Sequence, residues 1–270
     1  MPELPEVETT CRGIEPHIKN QKITNVIIRQ PKLRWPIPNV ITDLLIDDRV
    51  TKVRRRAKYL LLVTQKGTLI IHLGMSGSLR ILPSNTLAGA HDHFDLVMGD
   101  TCLRLRDPRR FGAVLWTDVD INEHKLIRDL GPEPLSKEFD IDYIFKKSRK
   151  RNLPVKTFIM NAHNVVGVGN IYASESLYMA GINPKRKAGS ISKKRYAKLV
   201  DAIKEVLAKS IKQGGTTLKD FSSADGKPGY FAQLLQVYDR QGEACFKCDA
   251  PIQQIKIGQR SSYYCPRCQT

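Results

Sequence analysis

Apolar side chains repeat at two different spacings along this chain of 270 residues. Val7, Cys11, Ile14 and Ile18 recur at helical spacing, which predicts a helix from about residue 6 to residue 19. The segments that follow are short and are separated by turn signals, as is typical of strands. We predict strands over 23–29, 59–64, 68–73, 78–82, 94–98, 102–106 and 113–117. The chain up to about residue 120 is therefore expected to form an antiparallel β-sandwich with one N-terminal helix.

The pattern becomes helical after that point. Pro132 and Pro134, followed by the basic stretch 146–151, indicate a passage between domains; a solvated helix face is the alternative explanation of the basic stretch. A long helix is predicted to begin at Ser192 and to end at Gly214. The segment 216–230 is predicted to be a long loop, of the kind that forms lids or binding loops.

The charge balance favours a polyanionic partner. Lys and Arg number 44 against 27 Asp and Glu, which gives a formal net charge of +17 and a pI near 9.7. Nucleic acid is the leading candidate, and the alternatives are an anionic membrane surface or a basic protein that needs only solubility. No basic amphipathic helix with a bulky apolar face supports the membrane alternative. No membrane span or signal peptide is evident, so we expect a cytoplasmic protein.

Four of the six cysteines form two C-x-x-C pairs near the end of the chain, Cys245 with Cys248 and Cys265 with Cys268. In a chain without a secretory signal this spacing predicts a tetrahedral zinc site rather than disulfides. Four thiolates leave no open coordination position, so we expect one structural zinc. The other two cysteines, in contrast, are expected to be small buried hydrophobes.

The residue after Met1 is a proline, so removal of Met1 exposes a secondary amine. An α-amino group titrates near pH ~7.7 to 8, and a sizeable fraction is therefore neutral and nucleophilic in the cell. Attack on an aldehyde carbon gives an iminium with a fixed positive charge, which favours elimination. Either Glu3 or Glu6 is placed to move protons. The alternative is that Pro2 only stiffens the terminus.

Glycines precede another predicted helix, in the segment from Val166 to Glu175, and the helix is expected to end at Gly181. Asn170 is predicted to be its N-cap. Backbone amides at such a helix start bind phosphate groups, although a G-x-G sequence alone most often marks a tight turn.

Several segments together resemble the bacterial formamidopyrimidine-DNA glycosylases. They are Pro2-Glu3-Leu4-Pro5-Glu6-Val7-Glu8, Ile71-His72-Leu73-Gly74-Met75-Ser76-Gly77, Asp107-Pro108-Arg109-Arg110-Phe111-Gly112, the Gly167 to Glu175 segment and the cysteine finger. The resemblance covers the whole chain in family order. It implies an α+β fold with an N-terminal antiparallel β-sandwich and helix over 1–130, a helix-two-turn-helix domain over 131–234 with a lesion-recognition loop over 216–230, and a zinc-finger β-hairpin over 235–270.

The resemblance also implies catalytic residues. Pro2, once Met1 is removed, matches the nucleophile that attacks C1′ of the damaged nucleotide, and Glu3 matches the proton-transfer carboxylate, with Glu6 supporting both. Lys58 matches a lysine that contacts a phosphate and assists elimination; otherwise it reads as a solvated lysine at a strand start. Arg260 matches an arginine implicated in DNA binding and in the later elimination.

DNA contacts follow from the same resemblance. Met75, Arg109 and Phe111 match the residues that enter the duplex where the damaged base leaves. Without the family resemblance, Met75 and Phe111 would be predicted to be core residues. The residues implied to bind the DNA backbone or the lesion region are His72, His91, Arg151, Lys156, Asn170 and Lys219. His91 and His93, on one strand face without a third ligand, do not predict a metal site.

Two departures bear on this interpretation. The family commonly carries aspartate at the position of Asn161, so this chain lacks one charge beside the DNA-binding helices, and we expect a structural consequence. As written, Met1 also leaves the nitrogen of Pro2 as a blocked amide.

The sequence thus predicts a monomeric, bifunctional enzyme of bacterial nucleoid DNA repair. It is expected to excise oxidised purines from double-stranded DNA and to cut at damaged or abasic sites by β,δ-elimination through a Pro2 Schiff base. A related alternative is an endonuclease VIII type with preference for oxidised pyrimidines, against which Leu4 and the loop 216–230 argue. The distant alternative is a non-enzymatic zinc protein that binds damaged or bent DNA, with Pro2 idle.

Overall fold

Helix α1, Leu4–Ile18, begins immediately after the candidate nucleophile. The computed structural model describes residues 2–216 and 231–270, without the side chains of Phe231 and Ala232, so Lys219 and all of the predicted loop except Thr216 lie outside the described residues. The predicted apolar face of α1 is confirmed, because Val7, Ile14 and Ile18 are buried.

Two antiparallel four-stranded sheets follow α1. Their elements are β1 (Asn25–Ile28), α2 (Ile41–Leu45), β2 (Lys52–Arg56), β3 (Tyr59–Val63), β4 (Thr68–His72), β5 (Ser78–Pro83), β6 (Asp92–Met98), β7 (Thr101–Arg106) and β8 (Ala113–Thr117). The strand order is β1-β6-β7-β5 in one sheet and β2-β3-β4-β8 in the other. Seven of these strands match the prediction; β2 and α2 were not predicted. In β2 only Val53 is buried, because the strand lies at a sheet edge, so it carries no alternating apolar signal.

One core joins α1 to both sheets. Leu60 and Ile71 come from one sheet, Phe94 and Leu105 from the other, and all four are fully buried with the apolar face of α1. Cys11 and Cys102 are also buried, as predicted, and burial raises the pKa of their thiols to about 12 and about 11, respectively.

The second half of the chain is helical and ends in a hairpin. Its elements are α3 (Ile141–Ser148), α4 (Val155–Met160), α5 (Asn170–Met179), α6 (Lys193–Lys212), β9 (Gln253–Ile257) and β10 (Arg260–Tyr264). The basic stretch 146–151 forms the end of α3 and the turn after it, so it lies within this half. Asp140 caps α3 by accepting a hydrogen bond from the N–H of Tyr143.

The chain divides into two compact units. Unit 1 is Met1–Arg128 with Gln213–Ala232, and unit 2 is Asp129–Lys212 with Gln233–Thr270. The helices and the hairpin therefore share one unit, whereas the predicted three-part boundaries stay a prediction. No helix among the described residues is long and apolar enough to span a membrane.

A buried carboxylate fastens the hairpin region to α5 within unit 2. Glu175 accepts hydrogen bonds from the backbone N–H groups of Gln236, Val237 and Tyr238 at 2.8, 3.0 and 2.9 Å. Burial raises the pKa of Glu175, and these three donors oppose the rise. The contact fixes where the chain enters the cysteine finger.

Candidate active site and nucleic-acid interface

The start of α1 orders the predicted catalytic residues. Glu3 is the N-cap, and Glu6, three residues later, accepts a hydrogen bond from the N–H of Glu3 at 2.8 Å. The Glu3 side chain in turn accepts from the N–H of Glu6, which completes a capping box. Pro2, Glu3 and Glu6 are all buried. The capping box therefore fixes Glu3 and Glu6 relative to each other, directly after Pro2 in the chain.

Glu6 also binds a second segment of unit 1. Its Oε1 accepts a hydrogen bond from the N–H of Thr216 at 2.7 Å. Gly215, at φ +83°, allows this approach, because a Cβ there would lie 3.0 Å from Oε1. Both oxygens of Glu6 are thus occupied by backbone donors, which suits this side chain for positioning.

Lys58 lies in the two-residue turn between β2 and β3. Arg55 holds this turn, since its Nη1 donates to the carbonyl of Ala57 at 2.9 Å and its Nε donates to Glu8 at 2.7 Å. Although burial opposes it, the Arg55 and Arg12 guanidiniums keep the pKa of Glu8 below its ordinary value. The turn with Lys58 is therefore tied to α1, the helix that begins at the reactive end.

His72 ends β4 in a single tautomer. Its Nδ1 accepts a hydrogen bond from the N–H of Gly74 at 3.0 Å, which leaves the ring hydrogen on Nε2. Burial, followed by the charges of Lys58 and Arg34, lowers the pKa of His72 from 6.5 to about 4. A neutral donor is therefore available at physiological pH. Sequence reasoning did not name Arg34, because its contribution comes from tertiary position.

Two adjacent loops of unit 1 carry the wedge, which is the set Met75, Arg109 and Phe111 predicted to enter the duplex. Met75 is 37% exposed and Phe111 is 46% exposed, which contradicts a core role for either. The guanidinium of Arg109 stacks 4.9 Å from the centre of the Phe111 ring. Met75 and Phe111 also line an apolar cavity of about 420 Å³ with Arg34, His72 and Gly74.

His91 is exposed just before β6. It lines a cleft of about 430 Å³ that also contains the cations Arg29 and Arg110. His93, in contrast, is buried and its Nε2 is 2.9 Å from the carbonyl of Asp107. The two histidines thus have different environments, and the only metal-ligand cluster among the described residues is that of the four cysteines.

Arg151 lines the basic cleft of unit 2, which measures about 600 Å³. Its other cationic neighbours are Lys146, Lys147, Arg149 and Lys150. Asn161 lines the cleft too, and its Oδ1 accepts a hydrogen bond from the N–H of His163 at 2.9 Å. An amide there keeps this turn without placing a negative charge in the cleft. The sequence signal for these cations was the basic stretch 146–151.

Asn170 is the first residue of α5, and Gly169 is the N-cap, so the predicted capping role is wrong. The Asn170 side chain instead reaches β10, where its Nδ2 donates to the carbonyl of Ser261 at 3.0 Å. Lys156 is buried, and its ammonium donates to Asn170 Oδ1 at 2.7 Å, the Ser261 carbonyl at 3.1 Å and Ser262 Oγ at 2.7 Å. An ammonium has three donors, so direct binding of a phosphate requires one of these acceptors to be displaced.

Arg260 begins β10 directly after the hairpin turn. Gly258 and Gln259 both have positive φ, of 54° and 64°, as a type I′ turn requires. Arg260 is exposed on the strand. The hairpin therefore presents it at the end remote from the cysteines.

The four finger cysteines have the geometry of a zinc site. Their sulfurs all lie within 4.8 Å of one another, and Cys245 Sγ is 3.9 Å from Cys268 Sγ. Zn–S bonds of about 2.3 Å in a tetrahedron put sulfurs roughly 3.8 Å apart, so the set fits one zinc with no open position. The zinc is structural.

Relatives of known identity match the chain from end to end. A formamidopyrimidine-DNA glycosylase of Thioalkalivibrio sulfidiphilus is 54% identical over 270 residues, and one of Methylococcus capsulatus is 56% identical; each alignment covers 100% of both chains. This chain belongs to the formamidopyrimidine-DNA glycosylase family. It is therefore a DNA glycosylase of base excision repair.

The parts of the chain match the parts of these glycosylases. Family models match the formamidopyrimidine-DNA glycosylase N-terminal domain over 1–114, the H2TH domain over 130–222, and the zinc finger found in FPG and IleRS over 242–270. The glycosylase of Lactococcus lactis, solved as a mutant with Fapy-dG DNA, has a TM-score of 0.94 at 33% identity and full coverage of both chains. The MutM (FPG) protein of Thermus thermophilus has a TM-score of 0.90 at 35% identity, covering 99% of this chain and 98% of that one. The predicted α+β fold is confirmed.

The low pKa of His72 makes stability depend on pH. The unfolded chain takes up a proton at this residue near pH 6.5, whereas the folded chain does so only near pH 4. The contribution of His72 to the free energy of unfolding is therefore fully present above pH 6.5. It falls by about 3 kcal/mol as the pH drops to about 4. In urea unfolding, His72→Gln should show a pH dependence smaller by that amount. Identical pH profiles for the variant and the wild type would contradict this.

Loss of one zinc ligand should act on DNA binding. We expect Cys248→Ser to lose zinc and to weaken duplex affinity without removing the Pro2 nucleophile, because so small a hairpin does not hold itself together. Metal content and affinity are measured on the same sample. Cys11→Ser, which alters a buried thiol in α1, is the matched control and should keep both. Unchanged affinity in the zinc-free variant would refute the prediction.

Proposed function

We propose that this glycosylase excises oxidised purines, such as 8-oxoguanine and formamidopyrimidines, from double-stranded DNA and then cuts the strand at the resulting abasic site. The observation that carries the proposal is the buried capping box of Glu3 and Glu6, which begins at the residue directly after Pro2. The Lactococcus lactis relatives solved with Fapy-dG DNA and with abasic-site DNA support this choice of substrate.

Pro2 is the proposed nucleophile. After Met1 is removed, its nitrogen attacks C1′, the bond to the damaged base breaks, and the base leaves with a proton. The nitrogen then loses its own proton, the C1′–O4′ bond breaks as O4′ takes up a proton, and the opened sugar is held as an iminium. The resulting iminium withdraws electrons, so protons at the neighbouring sugar carbons become acidic and the two phosphates leave by β- and then δ-elimination. No further cofactor is needed for these steps.

Two acidic and two basic residues assist Pro2 in these steps. Glu3 transfers protons at the sugar, as the N-cap next to the nucleophile. Glu6 positions Glu3 and Thr216, because backbone donors occupy both of its oxygens. Lys58 contacts a phosphate and assists elimination from its turn. Arg260 assists the later elimination.

DNA binding uses residues of both units. In unit 1, Met75, Arg109 and Phe111 fill the gap left by the extruded nucleotide, and His72 and His91 bind phosphates. In unit 2 the backbone contacts are Arg151 and Asn170, with the basic cleft around Arg151. Lys156 positions Asn170 and β10 rather than binding phosphate itself. We also propose that Lys219 binds DNA, as the sequence predicts.

We place the enzyme in the bacterial cytoplasm, as a monomer acting on nucleoid DNA. Its proposed domains are 1–130, 131–234 with a lesion-recognition loop over 216–230, and 235–270. The net charge of +17 supports a nucleic-acid partner.

Borohydride trapping tests the enzymatic mechanism directly. Reduction of the iminium should give a covalent protein–DNA adduct, which a non-enzymatic zinc DNA-binding protein does not form. A panel of duplexes with oxidised purines and oxidised pyrimidines then separates this proposal from an endonuclease VIII type. Preferential cleavage of the pyrimidine substrates would overturn the assigned substrate class.

The terminal amine should be essential. We expect Pro2→Gly, or protein that retains Met1, to lose base excision almost completely while binding of an abasic-site analogue persists, because the phosphate contacts are unchanged. Single-turnover excision and affinity are measured together, with the N-terminus verified by mass spectrometry. Pro5→Gly is the matched control, since it changes a proline of the same helix end and leaves the terminal amine intact. Excision at full rate by protein that retains Met1 would rule out the mechanism.

A further inference from the structure

Asp107 is a fully buried aspartate directly after β7, and its carboxylate joins the two loops that carry the wedge. Its Oδ1 accepts a hydrogen bond from Ser76 Oγ at 2.8 Å, in the loop of Met75. Its Oδ2 accepts one from the N–H of Gly112 at 2.7 Å, next to Phe111. Buried charge-assisted hydrogen bonds of this kind are strong and directional.

The backbone of Asp107 extends the same connection to the loop of His91 and to the next turn of its own loop. Its N–H donates to the carbonyl of His91 at 3.0 Å, and its carbonyl accepts from the N–H of Arg110 at 3.1 Å. Ser76 Oγ also lies 3.3 Å from the N–H of Arg109. Asp107 thus connects its own loop to two others, those of Ser76 and His91.

The loops are packed too closely to move independently. A Cβ on Gly74, which has φ +64°, would lie 2.4 Å from the carbonyl carbon of Phe111. A Cβ on Gly112 would lie 2.8 Å from the carbonyl of His72 and 3.0 Å from Asp107 Oδ2. Glycine at both positions lets the backbones approach, and the carboxylate then holds them together.

The wedge side chains lack burial that would fix them. Met75 and Phe111 are 37% and 46% exposed, and Arg109 is exposed as well. Ordering exposed side chains at the moment of binding has an entropic cost. A rigid, buried polar connection beneath the loops lowers that cost, because the backbone that presents the side chains is fixed in advance.

We propose that Asp107 is the positioning residue that preorganises Met75, Arg109 and Phe111 for simultaneous entry into the duplex. This inference rests on the proposed function of these three residues in nucleotide extrusion. Asp107 itself lies beneath the loops and does not contact DNA. Its removal should therefore slow extrusion and leave the chemistry at Pro2 intact.

Two substrates separate extrusion from chemistry. One carries 8-oxoguanine opposite cytosine in a duplex, and the other carries it unpaired in a bubble, where extrusion requires little work. In single-turnover assays Asp107→Ala should lose about ten- to a hundredfold on the duplex and less than about threefold on the bubble. Fluorescence of 2-aminopurine beside the lesion should rise more slowly in the variant by the same factor as duplex excision.

Conservative and control variants exclude a general loss of stability. Asp107→Asn retains an oxygen for the Gly112 N–H and an amide that donates to Ser76 Oγ, so it should recover to within about threefold of wild type on the duplex. Asp48→Ala is the matched control: Asp48 is 3% exposed and its carboxylate accepts from the N–H groups of Gln65 and Lys66, in the turn at the opposite end of β4 from the Met75 loop. It should lower both activities equally or not at all.

Ser76→Ala gives the second test if Asp107→Ala does not fold, since it removes only one of the two connections. It should show the same substrate ratio with a smaller loss. Equal losses on duplex and bubble, or none on either, would overturn the role of Asp107. Absence of excision by the wild type on both substrates would instead overturn the proposed function.

Discussion

A buried carboxylate that accepts backbone N–H groups from two segments is the interaction on which the proposed active site of this glycosylase depends. Glu6 receives the N–H of Glu3 and the N–H of Thr216, and neither oxygen is left for solvent. A residue at a chain terminus, such as the proposed nucleophile Pro2, would otherwise belong to the least ordered part of the protein. Here the start of α1 is fixed by hydrogen bonds to a side chain of its own first turn.

The same device recurs where the fold must place irregular backbone. Glu175 binds three consecutive N–H groups before the cysteine finger, and Asp107 binds the loops of the wedge. Unit 2 also contains the complementary arrangement, in which the buried ammonium of Lys156 collects oxygen acceptors. Loops of this enzyme are therefore held by charged groups beneath them, while their outer side chains stay exposed for DNA.

Sequence reasoning reached the fold because the signals it used are local. The repeat of Val7, Cys11 and Ile14 and the spacing of the four cysteines each specify an element without knowledge of its neighbours. It missed β2 because an edge strand buries one residue, Val53, and so shows no alternation. It misassigned Asn170 as a cap because the acceptor that its side chain faces lies in β10, 91 residues away.

The candidate site was predictable only where its residues are close together in sequence. The proposed chemistry of Pro2 and Glu3 follows from adjacent residues, but the proposed positioning roles of Glu6 and Lys156 depend on partners distant in sequence. For Lys156 the family resemblance implies a contact with the DNA backbone, whereas the fold buries its side chain. Its interpretation changes from ligand contact to support once its three acceptors are known.

The terminal hairpin is attached to the rest of unit 2 at two places, the cysteine cluster and the contact with Lys156. Cys265 lies five residue steps after Arg260 along β10, a length of about 17 Å, so a tilt of only a few degrees at the zinc end moves the arginine by about 1 Å. The ammonium of Lys156 donates hydrogen bonds to Ser261 and Ser262, close to the end of the hairpin that carries Arg260. The zinc site therefore fixes the direction of the hairpin, and Lys156 limits its movement. The position of Arg260 thus depends on two groups of different chemistry, a metal centre and a buried ammonium.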